Sequence, residues 1–134
     1  NVTYYGYGPY ESYSDKHRAS WVDRFDTTVD DMFEDYVFPQ ENGSHYNCQY
    51  ASVGNLFAKG KKPFSFQASR YSEKELDEKA HNFELVPSDG IYVALDYKQS
   101  GIGSNSCGPR LAEKYQIREE KIEWEISIRF DNKN

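Results

Sequence analysis

The residues that could do chemistry gather in one place. Gln99 to Pro109, QSGIGSNSCGP, holds three glycines, three serines, an asparagine and one cysteine, Cys107. Gly101, Gly103 and Gly108 permit backbone angles that a Cβ resists, and Pro109 removes a donor. The run follows IYVALDY, Ile91 to Tyr97, which is rich in β-formers and reads as a strand. A shaped loop leaving a rigid strand is a common place for binding groups. The plain alternative is a structural turn with a half-buried thiol.

Other candidates are weaker. The carboxylates fall in exposed runs, as in Glu73, Glu75, Asp77 and Glu78, and the sequence brings no two of them together. Phe25 to Tyr36 holds five acidic residues but lacks the central glycine of a calcium loop. The Gly6 to Pro9 run has no phosphate-loop lysine. His17, His45 and His81 stand apart, His17 among solvated charges. Lys59, Lys61 and Lys62 read as a solvated hairpin tip.

Composition bounds the function. A chain of 134 residues suits one domain, here taken as 1–134. Its aromatic content of 16 %, with 12 Tyr and 8 Phe, suits sheets with polar rims rather than disorder. A net charge of −6 argues against a nucleic-acid surface. Cys48 and Cys107 make no disulfide framework, so reduced thiols in the cytoplasm are the simplest account. Asn1 and Asn42 begin chance-level glycosylation sequons. No signal peptide and no membrane-spanning run is expected.

The elements that must hold the loop read as follows. Strands are expected at Val2 to Tyr7, His45 to Val53, Pro63 to Arg70, Phe83 to Val86, Ile91 to Tyr97 and Lys121 to Phe130. The last, KIEWEISIRF, alternates strictly, placing one face on a core and one in water. A β-type run at Tyr36 is stopped by Pro39, and Asn42-Gly43 marks a turn. Leu56 to Lys62 reads as a turn region. Ser14 could cap a short helix, and Val29, Met32, Phe33 and Tyr36 could share one face of a helical turn. Ser72 and Glu75 form a capping box for the one clear helix, SEKELDEKAH. Short strands with one helix give an all-β antiparallel sandwich.

YGYGPYESYSD, DYVFPQENG, FSFQASRYSEKEL and GIGSNSCGP, in that order, resemble the C-terminal end of the large bacterial β-galactosidases of glycoside hydrolase family 2. In some lactic acid bacteria this region is a separate small subunit. The resemblance implies the C-terminal half of a β-supersandwich, similar to galactose mutarotases. It implies a parent enzyme that hydrolyses terminal β-galactose, as in lactose, with retention, through two glutamates about 5 Å apart. Those glutamates, with Mg²⁺ and Na⁺, would lie in a barrel domain outside this chain. No catalytic residue and no cofactor are then expected here, and the partners would be the remaining domains or a large subunit. The resemblance also assigns the loop to the aglycone side of the active site, with Gly103, Asn105, Ser106 and Cys107 as the substrate-side residues. Many members carry a tryptophan where this chain has Cys107, and a thiol offers no ring to stack on. Two rival readings remain. Trp21 and the Tyr-rich N-terminal stretch could make an independent carbohydrate-binding sandwich. A mutarotase-like enzyme would need a histidine and a glutamate in one cleft. As half of a sandwich, the isolated chain is expected to self-associate.

Overall fold

The computed structural model describes residues 1–99 and 117–132. Six strands form one antiparallel sheet: β1 Val2–Gly8, β2 Trp21–Thr27, β3 His45–Val53, β4 Leu56–Ser69, β5 Tyr92–Asp96 and β6 Ile126–Phe130. The order is β2-β1-β3-β4, and β4 is long enough to take two further partners. Its first part pairs with β6, Leu56 opposite Phe130 through Gly60 opposite Ile126. Its last part pairs with β5, Ser65 opposite Asp96 through Ser69 opposite Tyr92. The all-β antiparallel reading therefore holds. Among the described residues no helix is long and apolar enough to cross a membrane.

One face of the sheet carries the core. Val2 and Tyr4 on β1, Cys48, Ala51 and Val53 on β3, and Phe64, Phe66 and Ala68 on β4 are all buried. Val29 and Met32 close over them from the β2–β3 connection. There Met32 N–H donates to the Thr28 carbonyl at 3.2 Å, so the expected helical turn forms and points its apolar side inward. The opposite face is a half-buried aromatic row, in which Tyr5 stacks on Tyr50 and Tyr50 on Phe57.

Several elements differ from expectation for identifiable reasons. β2 arises where no strand was expected. It is an edge strand, with Trp21 to Arg24 all exposed, so its sequence lacks a core signature. Leu56 to Lys62 is strand rather than turn. The turn is the two-residue Gly54-Asn55, with Gly54 at φ 57°, and Val53 pairs directly with Leu56. Lys59, Lys61 and Lys62 thus lie along β4, not at a tip. Ser14 caps no helix, since Tyr13 bridges to Lys16 and the chain turns there. Phe83 to Val86 is not a strand: residues Asn82–Glu84 make one 3-10 turn, with Glu84 accepting from the N–H groups of Ala80 and His81.

The helix α1, Glu73–Glu78, is shorter than its sequence pattern. Ser72 Oγ accepts from Glu75 N–H at 3.0 Å, as the capping box requires. Glu75 does not reciprocate; its carboxylate accepts from Val86 N–H at 2.9 Å and ties the helix to the chain beyond it. β6 holds only half of the alternating run. Ile126 packs against the core, yet Ile128 and Phe130 are 52 % and 64 % exposed, so among the described residues nothing covers the far half of this strand's apolar face.

Candidate functional site

Gly103, Asn105, Ser106 and Cys107 lie outside the described residues. What the structure defines is the neck from which their loop departs and to which it returns. β5 ends at Asp96, and three residues on, Gln99 is held on several sides. Its amide N–H groups donate to Asp96 Oδ2 at 2.9 Å and Glu41 Oε1 at 3.2 Å. Its carbonyl oxygen accepts from the buried Ser44 hydroxyl at 3.2 Å. Across the neck, Lys98 Nζ pairs with the Glu119 carboxylate, joining positions 21 residues apart. Lys98, Gln99 and Glu119, on either side of residues 100–116, are thereby held by polar contacts.

The same contacts bring together two carboxyls that the sequence left apart. Glu41 and Asp96 share the Gln99 amide. Burial raises both carboxyls above their usual range, and the Asp96 charge raises Glu41 further. A retaining pair must flank a scissile bond across a pocket. Here a glutamine side chain bridges the two carboxylates, which makes them a clamp for Gln99.

Beside the neck lies a pocket of about 440 Å³. Tyr46, Asn47, Lys62, Tyr97 and Ser14 contribute to its wall, with Gln99 and Ile117 at the two loop ends. A bulge in β3 aims the first of these. The ladder slips between His45 and Cys48, and Asn47 sits at φ 57°, a left-handed angle that asparagine tolerates better than most residues. Tyr46 stacks on Tyr7 with ring centroids 5.7 Å apart, and His17 packs against both.

Two further ionisable groups are buried outside this pocket's wall. Glu11 is 8 % exposed; it accepts from Lys16 Nζ at 2.7 Å, Gly43 N–H at 3.0 Å and the Tyr36 hydroxyl. Burial pushes its carboxyl up, but these three donors together outweigh burial and hold it below the usual range. His45 is buried against Tyr4, ring centroids 4.3 Å apart. Its Nδ1–H donates to the Tyr7 carbonyl at 3.0 Å, and burial lowers the imidazole to about 4, so the ring is neutral. No sequence pattern singled out either group. Cys48, also buried, has its thiol pushed up to about 12 by desolvation and is chemically quiet.

The remaining candidates are scattered. Trp21 meets Phe25 edge-on at 5.7 Å and is 53 % exposed, while Tyr4 and Tyr13 are buried, so the N-terminal aromatics form no single platform. His81 stacks on Phe83 far along the chain from His17 and His45. Asn42, the second sequon, is 4 % exposed, and its side chain accepts from Glu34 N–H at 2.9 Å. Among the described residues no group of three or more His, Cys, Asp or Glu could hold a metal ion.

Comparison with known proteins supplies the context for this geometry. The model of the β-galactosidase small chain family matches residues 1–130. A β-galactosidase of Actinobacillus pleuropneumoniae is 50 % identical over 130 residues, which are 97 % of this chain and 12 % of that protein. A β-galactosidase of Staphylococcus xylosus is 42 % identical over 96 % of this chain and 13 % of its own length. One from Streptococcus thermophilus is 35 % identical over 78 % of this chain. The chain thus spans 12–13 % of the first two of these relatives. An antiparallel sheet, a bulged β3 and a clamped loop neck are therefore features of a chain that belongs to the β-galactosidase small chain family.

Proposed function

We propose that this chain completes a β-galactosidase without doing chemistry itself, and that the loop carrying Gly103, Asn105, Ser106 and Cys107 lines the aglycone side of the parent's active site. The observation that carries the reading is the clamped neck. Gln99 and the Lys98–Glu119 pair are held on either side of residues 100–116, which is what a loop there needs if it is to offer groups to a substrate at a fixed place. The small share of the relatives' length supports assigning the catalytic glutamates, and the Mg²⁺ and Na⁺ sites, to a part of the parent outside this chain. Terminal β-galactosides such as lactose are the proposed substrates, the cytoplasm the proposed compartment, and the rest of the enzyme the proposed partner.

The uncovered face of β6 suits such a partner. Ile128 and Phe130 extend the core face of the sheet beyond what the described residues cover, which leaves apolar surface for another layer to meet.

Two measurements test the reading. The purified chain should not turn over a chromogenic β-galactoside; turnover that a point mutation within this chain abolishes would refute a non-catalytic role. In the intact enzyme, Cys107→Trp should restore a stacking ring and tighten acceptor sugars such as glucose roughly two- to tenfold. Galactose affinity should change little. Unchanged acceptor affinity in a folded Cys107→Trp protein would remove the loop from the aglycone site.

A further inference from the structure

We infer that the pocket beside the loop neck is itself a saccharide-binding site, with Tyr46 and Tyr97 as ring faces and Asn47 and Lys62 as hydroxyl-binding groups. The assignment uses none of the residues from Gly101 to Pro109, so it stands apart from the reading of the loop.

Three observations carry it. The first is size and shape: about 440 Å³ falls within the range of small-ligand pockets. The second is unused hydrogen-bonding capacity. Among the described residues the Asn47 carboxamide and the Lys62 ammonium have no hydrogen-bond or ion-pair partner. Asn47 is held there by a left-handed backbone angle, the kind of local strain that concentrates at binding sites. The third is the pairing of these polar groups with two aromatic rings. Tyrosine faces pack against the C–H faces of a pyranose, while amide and ammonium groups meet its hydroxyls.

Charge selects among ligand classes. Lys98, which also lines the pocket, is engaged by Glu119, leaving Lys62 as the one cation there with no ion pair among the described residues. One ammonium beside two phenols and neutral amides suits a neutral polyhydroxylated ring better than a phosphate, which calls for several converging donors.

The test is hydrogen exchange in the intact protein that carries this chain, followed over peptides spanning 44–49 and 95–99. Galactose, glucose, lactose and inorganic phosphate serve as separate probes. One or more of the sugars should slow exchange in both peptides, saturating with a midpoint of about 1–10 mM, as expected for a small shallow ligand. Tyr46→Ala should raise that midpoint roughly two- to tenfold, the worth of one stacked ring. Lys62→Ala should raise it by a similar factor, and Tyr46→Phe, which keeps the ring and the contact with Tyr7, should leave it near wild type. If Tyr46→Ala disturbs the fold, seen as faster sugar-free exchange in β1, the Lys62→Ala and Tyr46→Phe pair decides alone. Cys107→Trp should not move this midpoint, whatever it does to acceptor affinity at the catalytic centre. Absence of sugar-dependent protection at about 100 mM overturns the assignment. So does protection unchanged by Lys62→Ala, or protection by phosphate with none by any sugar.

Discussion

Glu11 offers the sharpest test of how the polar interior is built. Its carboxylate joins the turn after β1 to the connection before β3, through Lys16, Tyr36 and Gly43. Glu11→Gln keeps the shape and removes the charge. All three donors lose a charged acceptor; the amide oxygen still accepts, but the amide nitrogen offers no lone pair to the donor on its side. Hydrogen bonds to charged groups contribute about 1.5–3 kcal/mol each. Lys16 is half exposed, with 51 % of its side chain in water, so its share is discounted as a surface ion pair. The net loss should be about 2 kcal/mol, close to a thirtyfold change in an opening equilibrium. Gly43 N–H donates directly to Glu11 Oε2, so its hydrogen-exchange protection reads the network where it is made. The sign with pH follows from the lowered carboxyl. A depressed folded value contributes stability that is full above the unfolded value of about 4.3 and is lost as pH falls through the folded value. The gap between wild type and Glu11→Gln should therefore be largest near neutrality and shrink below about pH 4. A change in Gly43 protection of less than about threefold at neutral pH would refute the argument.

Two further outcomes follow from the same packing. His45 is neutral when folded, with its imidazole lowered to about 4, so stability should fall between about pH 6.5 and pH 4 as the unfolded chain binds the proton first. The loss should reach about 3 kcal/mol at most, and should disappear in a folded His45→Gln protein; an equal acid loss there would assign the titration elsewhere. Ile128→Asp with Phe130→Asp should cost the isolated chain under about 0.5 kcal/mol, since both are exposed, while lowering its self-association by light scattering and weakening its assembly with the rest of the enzyme. Unaltered assembly would mean that this face is not the covered one.

The core strands were legible because burial writes itself into residue type. Phe64 and Phe66 were expected on one face, and they lie there at 1 % and 0 % exposure. β2 was illegible for the opposite reason. An edge strand with Trp21 to Arg24 exposed is held by its ladder to β1 and by contacts such as Thr3 Oγ1 to Asp26 at 2.6 Å, and neither leaves a periodic trace. The turn at Gly54-Asn55 did leave one, a two-residue Gly-Asn step between β-type runs, but the lysines just beyond it drew the turn to the wrong place. The last strand misled in a more useful way. Its strict alternation reads as a buried face, and the described residues leave the second half of that face, Ile128 and Phe130, exposed.

The contacts that hold Gln99 and Lys98 were not legible in the sequence. Glycine and proline mark a shaped turn from sequence alone, because each acts on its own backbone. Gln99 acts through Ser44, Glu41 and Asp96, which come from two other stretches of chain, and Lys98 acts through Glu119. Nothing in the spacing of these residues announces a partnership that only the sheet creates. The same holds for the pocket: Ser14 comes from the turn after β1, Asn47 from a bulge in β3, Lys62 from mid-β4 and Tyr97 from the end of β5. Four ordinary residues become a candidate site because β3, β4 and β5 are neighbours, with β4 running long between the other two. A change that shortened β4 at Pro63 would thus act on the pocket and on the loop neck together, through Lys62 on one side and the Ser65–Asp96 pairing on the other.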